Sequence, residues 1–318
     1  MPRSAASATV HIIVTCTNRK RYPVPAQFRL GDLQERRQAL RFVAWTRRLG
    51  ADEPAVPAID LYGGEHWQVA RALPAVVGDS ARLWVCSAGY GLVAADTRLN
   101  PYAATFSPGD ADSVGGTTGQ VRDWWRRLTD WAGPEIGQPR SFVDLARRDP
   151  TASVVAVLSD AYIRACSNDL RDAADQLVDR DRFAVIGPAT RSDHVDDLLV
   201  PVYGRLRPLV GGSLQALHAR VTAYLLGSAM AQQATISRSS LRGAAQRAAD
   251  IAPVDSSRRS GGTRLSDQEV RTFIRAELAA GTASATVLLR RLRESGRSCE
   301  QSRFKHLFAD ILASGVEI

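Results

Sequence analysis

The chain has 318 residues and a mass of 34.5 kDa, with 41 Lys and Arg against 33 Asp and Glu, a net charge of +8 and a pI of about 9.8. Its 45% hydrophobic and 23% charged residues exclude a disordered chain, and its length allows one large domain or two modest ones. A basic balance favours an anionic partner, most often nucleic acid.

Residues 10–16 (VHIIVTC) are a short, apolar, β-branched run that predicts a buried strand. Residues 33–49 predict a helix, with Leu33, Leu40, Val43 and Ala44 set among arginines and Gly50 as its stop. Residues 65–77 (EHWQVARALPAVV) read as helical, with Pro74 kinking or ending the run. Residues 82–87 (RLWVCS) predict a second buried strand, and 100–119 a loop rich in Gly, Pro, Asp and Ser. Residues 120–132 predict a helix with Trp124, Trp125, Leu128 and Trp131 near one face. Residues 153–158 (SVVAVL) predict a third strand, passing through Ser159–Asp160 as N-cap into a helix that continues to about 178. Residues 183–186 predict a fourth strand, closed by Gly187 and Pro188, and 213–226 another helix entered through Gly211 and Gly212. Strands alternating with helices over 1–228 predict an α/β domain with a mostly parallel sheet and flanking helices. In such sheets the site lies beyond the C-terminal strand ends, here at 16–20, 87–90 and 159–160.

The stretch 229–262 is rich in Ala, Ser, Gln and Arg and ends in SSRRSGG, which predicts a linker with helical character around 240–249. Residues 263–318 predict a small all-α module. Ser266 and Glu269 form a capping box for a helix carrying Val270, Phe273, Ile274 and Leu278, stopped by Gly281. Ser284 caps a second helix (Val287, Leu288, Leu292) stopped by Gly296, and 299–312 make a third. Three short helices with tight turns predict a helix-turn-helix-like module that binds double-stranded DNA. From Arg238 onward there are 14 cations and 9 acids, five of the chain's surplus of eight. The candidate DNA contacts are Arg290, Arg291, Arg293, Arg297, Gln301, Arg303 and Lys305. A basic bundle that binds another protein is the competing reading.

No apolar run approaches the ~20 residues of a membrane span. Residues 1–9 lack the apolar core of a secretion signal. The four cysteines (Cys16, Cys86, Cys166, Cys299) form no CxxC pair, so reduced thiols in a cytoplasm are expected, with no metal, no cofactor and no membrane partner. His11, His194, His218 and His306 show no metal-ligand spacing, and Gly115–Gly119 lacks the lysine of a phosphate-binding loop.

Three segments stand out together: TCTNRKR at 15–21, DLYGGEHWQVAR at 60–71 and CSAGYGLVAADTRLNPYAATF at 86–106. The set resembles the YaaA-like domain family of bacterial proteins over about the first 230 residues. The matching positions are Cys16, Lys20, Leu61, Tyr62, Gly63, Arg71, Ser87, Ala88, Tyr90, Gly91, Leu92, Pro101 and Tyr102. The family includes a DNA-binding protein of oxidative stress. Its more distant, DpdC and archaeosine-synthase-like branch acts on the nitrile of 7-cyano-7-deazaguanine in nucleic acid. The resemblance therefore implies an enzyme of 7-deazaguanine DNA modification that hydrates this nitrile to the amide, with other proteins of a modification cluster as further partners.

The residues can be argued without the resemblance. A thiolate attacks a nitrile carbon to give a thioimidate, which water resolves. The nucleophile needs a neighbouring cation and a proton donor. Cys16 is the candidate nucleophile, and Lys20 the cation that stabilises the developing imidate anion, with Arg19 or Arg21 beside it. Asp96, Tyr90, Asp160 or His66 supplies the acid–base function. Asn18, Arg21, Tyr62, Arg71, Ser87, Tyr102, Ser159 and Asp160 complete a substrate-binding set, and the tryptophans of 124–131 are candidates to stack a flipped-out base. Each has a plainer reading: Cys16 as a small apolar strand-end residue, Lys20 as a solvated loop cation, Tyr90 as the lid of a glycine turn, Ser159–Asp160 as a helix cap, the tryptophans as core. The alternative function is a non-enzymatic DNA-binding stress or phage-defence protein.

Overall fold

A computed structural model describes residues 8–35, 37–50, 56–189, 195–252, 263–281 and 284–313. The chain divides into two compact units, 1–253 and 254–318.

The first unit is built on one sheet of six strands: β1 (Val10–Thr15), β2 (Ala81–Ser87), β3 (Gly91–Ala94), β4 (Ser153–Val157), β5 (Phe183–Pro188) and β6 (Leu199–Val202). Their spatial order is β3-β2-β1-β4-β5-β6, and all run parallel except β3, which folds back antiparallel on β2. The α-helices longer than one turn are α1 (Gln38–Leu49), α2 (Glu65–Ala70), α3 (Leu73–Val77), α4 (Thr118–Asp130), α5 (Phe142–Arg148), α6 (Asp160–Ala174), α7 (Leu217–Ala231) and α8 (Arg238–Ile251). One group, α2, α3 and α8, gathers around α7, which crosses β4, β5 and β6; α1, α4, α5 and α6 form a second group. Covered on both faces, β1 and β4 are buried at every residue, which is why each reads as an unbroken apolar run rather than an alternating one.

The strand order fixes where a site can form. β1 leads to β2 on one side, whereas β4 leads to β5 on the other, and Val14 lies beside Val157 in register. The two chains therefore diverge from adjacent strand ends, leaving a crevice at the switch point.

The second unit holds α9 (Asp267–Ala279), α10 (Ala285–Glu294) and α11 (Gln301–Ala313), with a two-residue parallel pairing of Thr263–Arg264 with Arg297–Ser298. Val270, Ile274, Leu288, Leu292, Phe304 and Leu307 make its separate core. The Ser266 capping box and the Ser284 cap both form.

Some elements differ from expectation. The predicted helix over 65–77 breaks at Arg71 and Ala72, and Pro74 stands in the first turn of α3, where a missing N–H costs nothing. Strands β3 and β6 and helix α5 carry too little periodicity to be read from sequence. The largest correction concerns 229–262. Residues up to Ala231 belong to α7, and Arg238–Ile251 is a capped helix of the first unit, whose Leu241, Ala244, Ala245, Ala248 and Ala249 are buried at helical spacing against α7 and β6. Alanine lets this helix approach closely, so a composition poor in large apolar residues still packs. The remainder of the predicted linker, 253–262, lies outside the described residues. No helix of the described residues is long and apolar enough to cross a membrane.

Leu241 is fully buried. Leu241→Ala should cost about 2–4 kcal/mol in urea unfolding of the full chain; a linker residue would show no loss.

Candidate functional site

Cys16 is the first residue past β1, and its N–H still bonds the Cys86 carbonyl of β2 at 3.0 Å. Its Sγ lies 3.1 Å from the hydroxyl of Tyr162, in the first turn of α6. The contact spans the crevice between the diverging ends of β1 and β4. Cys16 retains 8% exposure, whereas Tyr162 is nearly closed off at 4%. Burial pushes the Tyr162 phenol well above its ordinary pKa, and the neighbouring Cys16 adds to the rise. A phenol held neutral in this way keeps its O–H, so either the phenol or the thiol can be the donor in this contact.

The loop after Cys16 is fastened by backbone bonds. Arg21 N–H donates to Leu61 O at 2.9 Å and Gly63 N–H to Arg19 O at 2.9 Å, with Lys20 facing Tyr62 between them. Lys20 is thereby turned inward. Its ammonium donates to Thr17 O at 2.5 Å and stands 5.1 Å from the Tyr62 ring centre and 4.6 Å from that of Tyr102. Burial lowers its pKa, opposed by Cys16 and then Asp112. Tyr62, Tyr102 and Ser87 form a buried hydroxyl chain, with 2.9 Å between the phenols and 2.5 Å from Tyr102 to Ser87 Oγ. Ser87 Oγ accepts from the N–H groups of Gly89 and Tyr90, which shapes the turn after β2. A Cβ on Gly89 would sit 2.5 Å from the Tyr102 ring, so glycine is required there. Burial holds both phenols well above their ordinary values.

Of the residues read as catalytic, Cys16 and Lys20 come together with Tyr62, Ser87 and Tyr102, while two do not join them. Asp96 is exposed in the turn after β3. β3 runs away from the site, pairing Gly91 with Ser87 and Ala94 with Trp84, so Asp96 falls towards the opposite end of β2. Tyr90 lies behind Tyr102 with ring centres 5.0 Å apart, and its hydroxyl accepts from Asn100 N–H at 3.1 Å; it is packing, not a proton donor to a substrate.

Ser159 and Asp160 flank the crevice at the start of α6, but Asp160 is paired to Arg164. Asn18 is exposed and reaches Asp110 at 3.4 Å. The tryptophans do not offer a stacking surface. Trp124 and Trp125 are buried and donate to Ala88 O at 2.8 Å and Asp169 at 2.9 Å, and Trp131 lies against Tyr90 and Arg140. His66 is held against the Thr15 and Gln215 backbones, and burial lowers its pKa, which favours the neutral ring.

Tyr162 was missed because nothing in 159–163 marks it; only the strand order brings it to Cys16. Arg140 was missed likewise. Its buried guanidinium donates to Leu92 O at 2.7 Å, Trp131 O at 3.1 Å and Tyr90 O, clamping the turn that carries Ser87, and burial lowers its pKa to about 10.

In the second unit the candidate DNA contacts separate. Arg303 binds Asp267 at 2.7 Å and Leu265 O at 3.0 Å, fastening α11 to the start of α9, and Arg291 is paired with Glu277 at 2.7 Å. Arg290, Arg293, Gln301 and Lys305 line one groove of about 210 Å³ between α10 and α11. Arg297 is exposed on the short strand pair. The charge is also more evenly shared than the sequence reading implied. Residues 254–318 hold 11 Lys and Arg against 8 Asp and Glu, a surplus of three, and the first unit holds 30 against 25, a surplus of five.

The fold and site define a layered α/β protein with a cysteine–lysine–tyrosine centre at the switch point of its sheet. A scan of protein-family models and searches of curated proteins and of solved structures return no match.

Alkylation of Cys16 by iodoacetamide at neutral pH, followed by peptide mass spectrometry, should slow about 5- to 10-fold in Tyr162→Phe and in Lys20→Met, the scale of one ordinary hydrogen bond. Lys20→Met should not lower Tm, because it removes a buried cation that has no carboxylate within ion-pair distance among the described residues.

Proposed function

We propose that the first unit hydrates the nitrile of 7-cyano-7-deazaguanine in DNA through Cys16, and that the second unit holds the DNA as a helix-turn-helix-like module. The observation that carries this reading is the approach of Cys16 Sγ to the Tyr162 hydroxyl at 3.1 Å, beside an inward-turned Lys20. Sulfur adds to the nitrile carbon while Lys20 gives a proton to nitrogen, leaving a neutral thioimidate and a lysine amine. Water then adds across the C=N bond, oxygen to carbon and hydrogen to nitrogen. Collapse forms the amide carbonyl and breaks the C–S bond. The released proton returns to Lys20, and sulfur departs into the Tyr162 hydrogen bond. A lysine whose pKa is lowered by burial suits both halves of this cycle. The 8% exposure of Cys16 suits a linear nitrile, which is slim enough to reach a recessed sulfur.

The same recessed sulfur also favours a second reading, in which Cys16 is structural and the protein binds DNA without chemistry. The two part on one experiment. DNA carrying the modified base, incubated with protein and digested to nucleosides, should show the mass gain of one water, and Cys16→Ala should abolish it without unfolding the protein. No mass change with the native protein removes the enzyme reading.

DNA binding by the full chain should weaken steeply with salt. Arg290→Ala combined with Arg293→Ala and Lys305→Ala should weaken it at least ~10-fold and flatten the salt slope, whereas Arg303→Ala should act mainly through stability.

A further inference from the structure

We propose that the cavity beside the Cys16 loop is a phosphate site that receives the backbone of the nucleotide whose base is being modified. This rests on the reading of Cys16 given above and names what holds the substrate there. The cavity has a volume of about 710 Å³ and lies between the 19–21 loop and the segment 62–71. Arg19, Lys20, Arg21, Gln68 and Arg71 line it together with Tyr62.

Three observations point to an anion. First, the cations outnumber their counter-charges. Arg21 and Arg71 share the single carboxylate of Asp60 at 3.9 and 3.7 Å, the outer limit of an ion pair, and Arg19 has no carboxylate within 4.0 Å among the described residues. The other acid at the rim, Glu65, is already engaged by Arg220 at 2.9 Å and by the Ser213 N–H at 3.2 Å. Second, the arginine stems lie along the backbone of 63–64: a Cβ on Gly63 would lie 3.5 Å from the Arg21 stem and 3.6 Å from that of Arg19, and one on Gly64 would lie 3.7 Å from Arg19, all ordinary contact distances that leave the guanidinium groups at the cavity. Third, the cavity shares a wall with the Cys16 centre. Lys20 and Tyr62 line it, and Lys20 also covers Tyr102 and feels Cys16.

Guanidinium groups in this number, facing open space with one shared carboxylate, match a phosphate oxygen set better than a carboxylate or a neutral ligand. The other large cavity near a buried acid does not compete. At 510 Å³ between α4 and α6, its Asp169 is spent on the N–H groups of Phe142 and Val143 and on Trp125, and its Asp123 on Arg126 and Arg127.

The test reads occupancy at Cys16 itself, in the full chain. Iodoacetamide labelling of Cys16 is followed with and without deoxyguanosine 5′-monophosphate, deoxyguanosine or inorganic pyrophosphate. The monophosphate should slow labelling at concentrations where the nucleoside does nothing. The double variant Arg19→Ala with Arg71→Ala should raise the protecting concentration at least ~10-fold, whereas Arg126→Ala, on the exposed side of α4, should leave it unchanged. Titration calorimetry with pyrophosphate should show the same loss in the double variant and is independent of labelling. Equal protection by nucleoside and nucleotide, or undiminished pyrophosphate binding by the double variant, overturns the phosphate site. Pyrophosphate binding that survives while the modified DNA gains no water leaves this site standing and removes the nitrile chemistry instead.

Discussion

The Tyr102 hydroxyl is the joint on which the site depends. At 2.5 Å from Ser87 Oγ and 2.9 Å from the Tyr62 hydroxyl, it ties together three segments far apart in sequence: the turn after β2, the segment that borders the Lys20 loop, and the loop after Pro101. All three side chains are fully buried. Removing any one oxygen would leave a buried hydroxyl without its partner, which costs more than the bond itself contributes. Because Ser87 also receives the N–H groups of Gly89 and Tyr90, the same chain sets the turn against which Trp45 and Trp124 donate, at Gly89 O and Ala88 O. The network therefore rigidifies the floor beneath Lys20 without using a formal charge.

Lys20 is the exception to that economy. Burial lowers its pKa, and an unfolded chain would restore the ordinary value of 10.5. The unfolded state then binds more protons, so the charged lysine opposes folding at neutral pH, and the cost fades only as pH rises from the lowered value towards 10.5. The two ring faces and the Thr17 carbonyl recover part of this. A chain that uses arginine for 39 of its 41 cations places a lysine where a guanidinium would be too wide and would never release a proton.

Much of this was legible in the sequence, for identifiable reasons. β1, β2 and β4 announced themselves because strands buried on both faces must be continuously apolar. The caps of α9 and α10 were legible because capping is local chemistry. Cys16, Lys20, Tyr62, Ser87 and Tyr102 were picked out as a set of motifs, and they do converge. Asp96 failed because the four residues of β3 carried it towards the far end of β2 after a reversal that sequence does not announce. Tyr162 was invisible for the opposite reason, since its proximity to Cys16 is set wholly by β4 lying next to β1. α8 was misjudged because the linker reading weighed composition over spacing, and its alanines at 244, 245, 248 and 249 mark a face.

The division of charge follows from the same geometry. The first unit carries five of the eight surplus cations over about four times the length of the second. Some of that surplus is neutralised: Arg126 and Arg127 turn to Asp123, and Arg180 to Asp175 and Asp197. Arg21 and Arg71 share only Asp60, Arg19 has no carboxylate within 4.0 Å among the described residues, and all three line one cavity with Lys20. Mutual repulsion among these cations favours dispersing them, so their concentration at one cavity has to be offset elsewhere in the fold. The hydroxyl chain beneath and the backbone bonds from Arg19 and Arg21 to Gly63 and Leu61 supply that restraint. The fold thus keeps the Cys16 sulfur and a cluster of cations that shares one carboxylate close together, at the end of the sheet where β1 and β4 part.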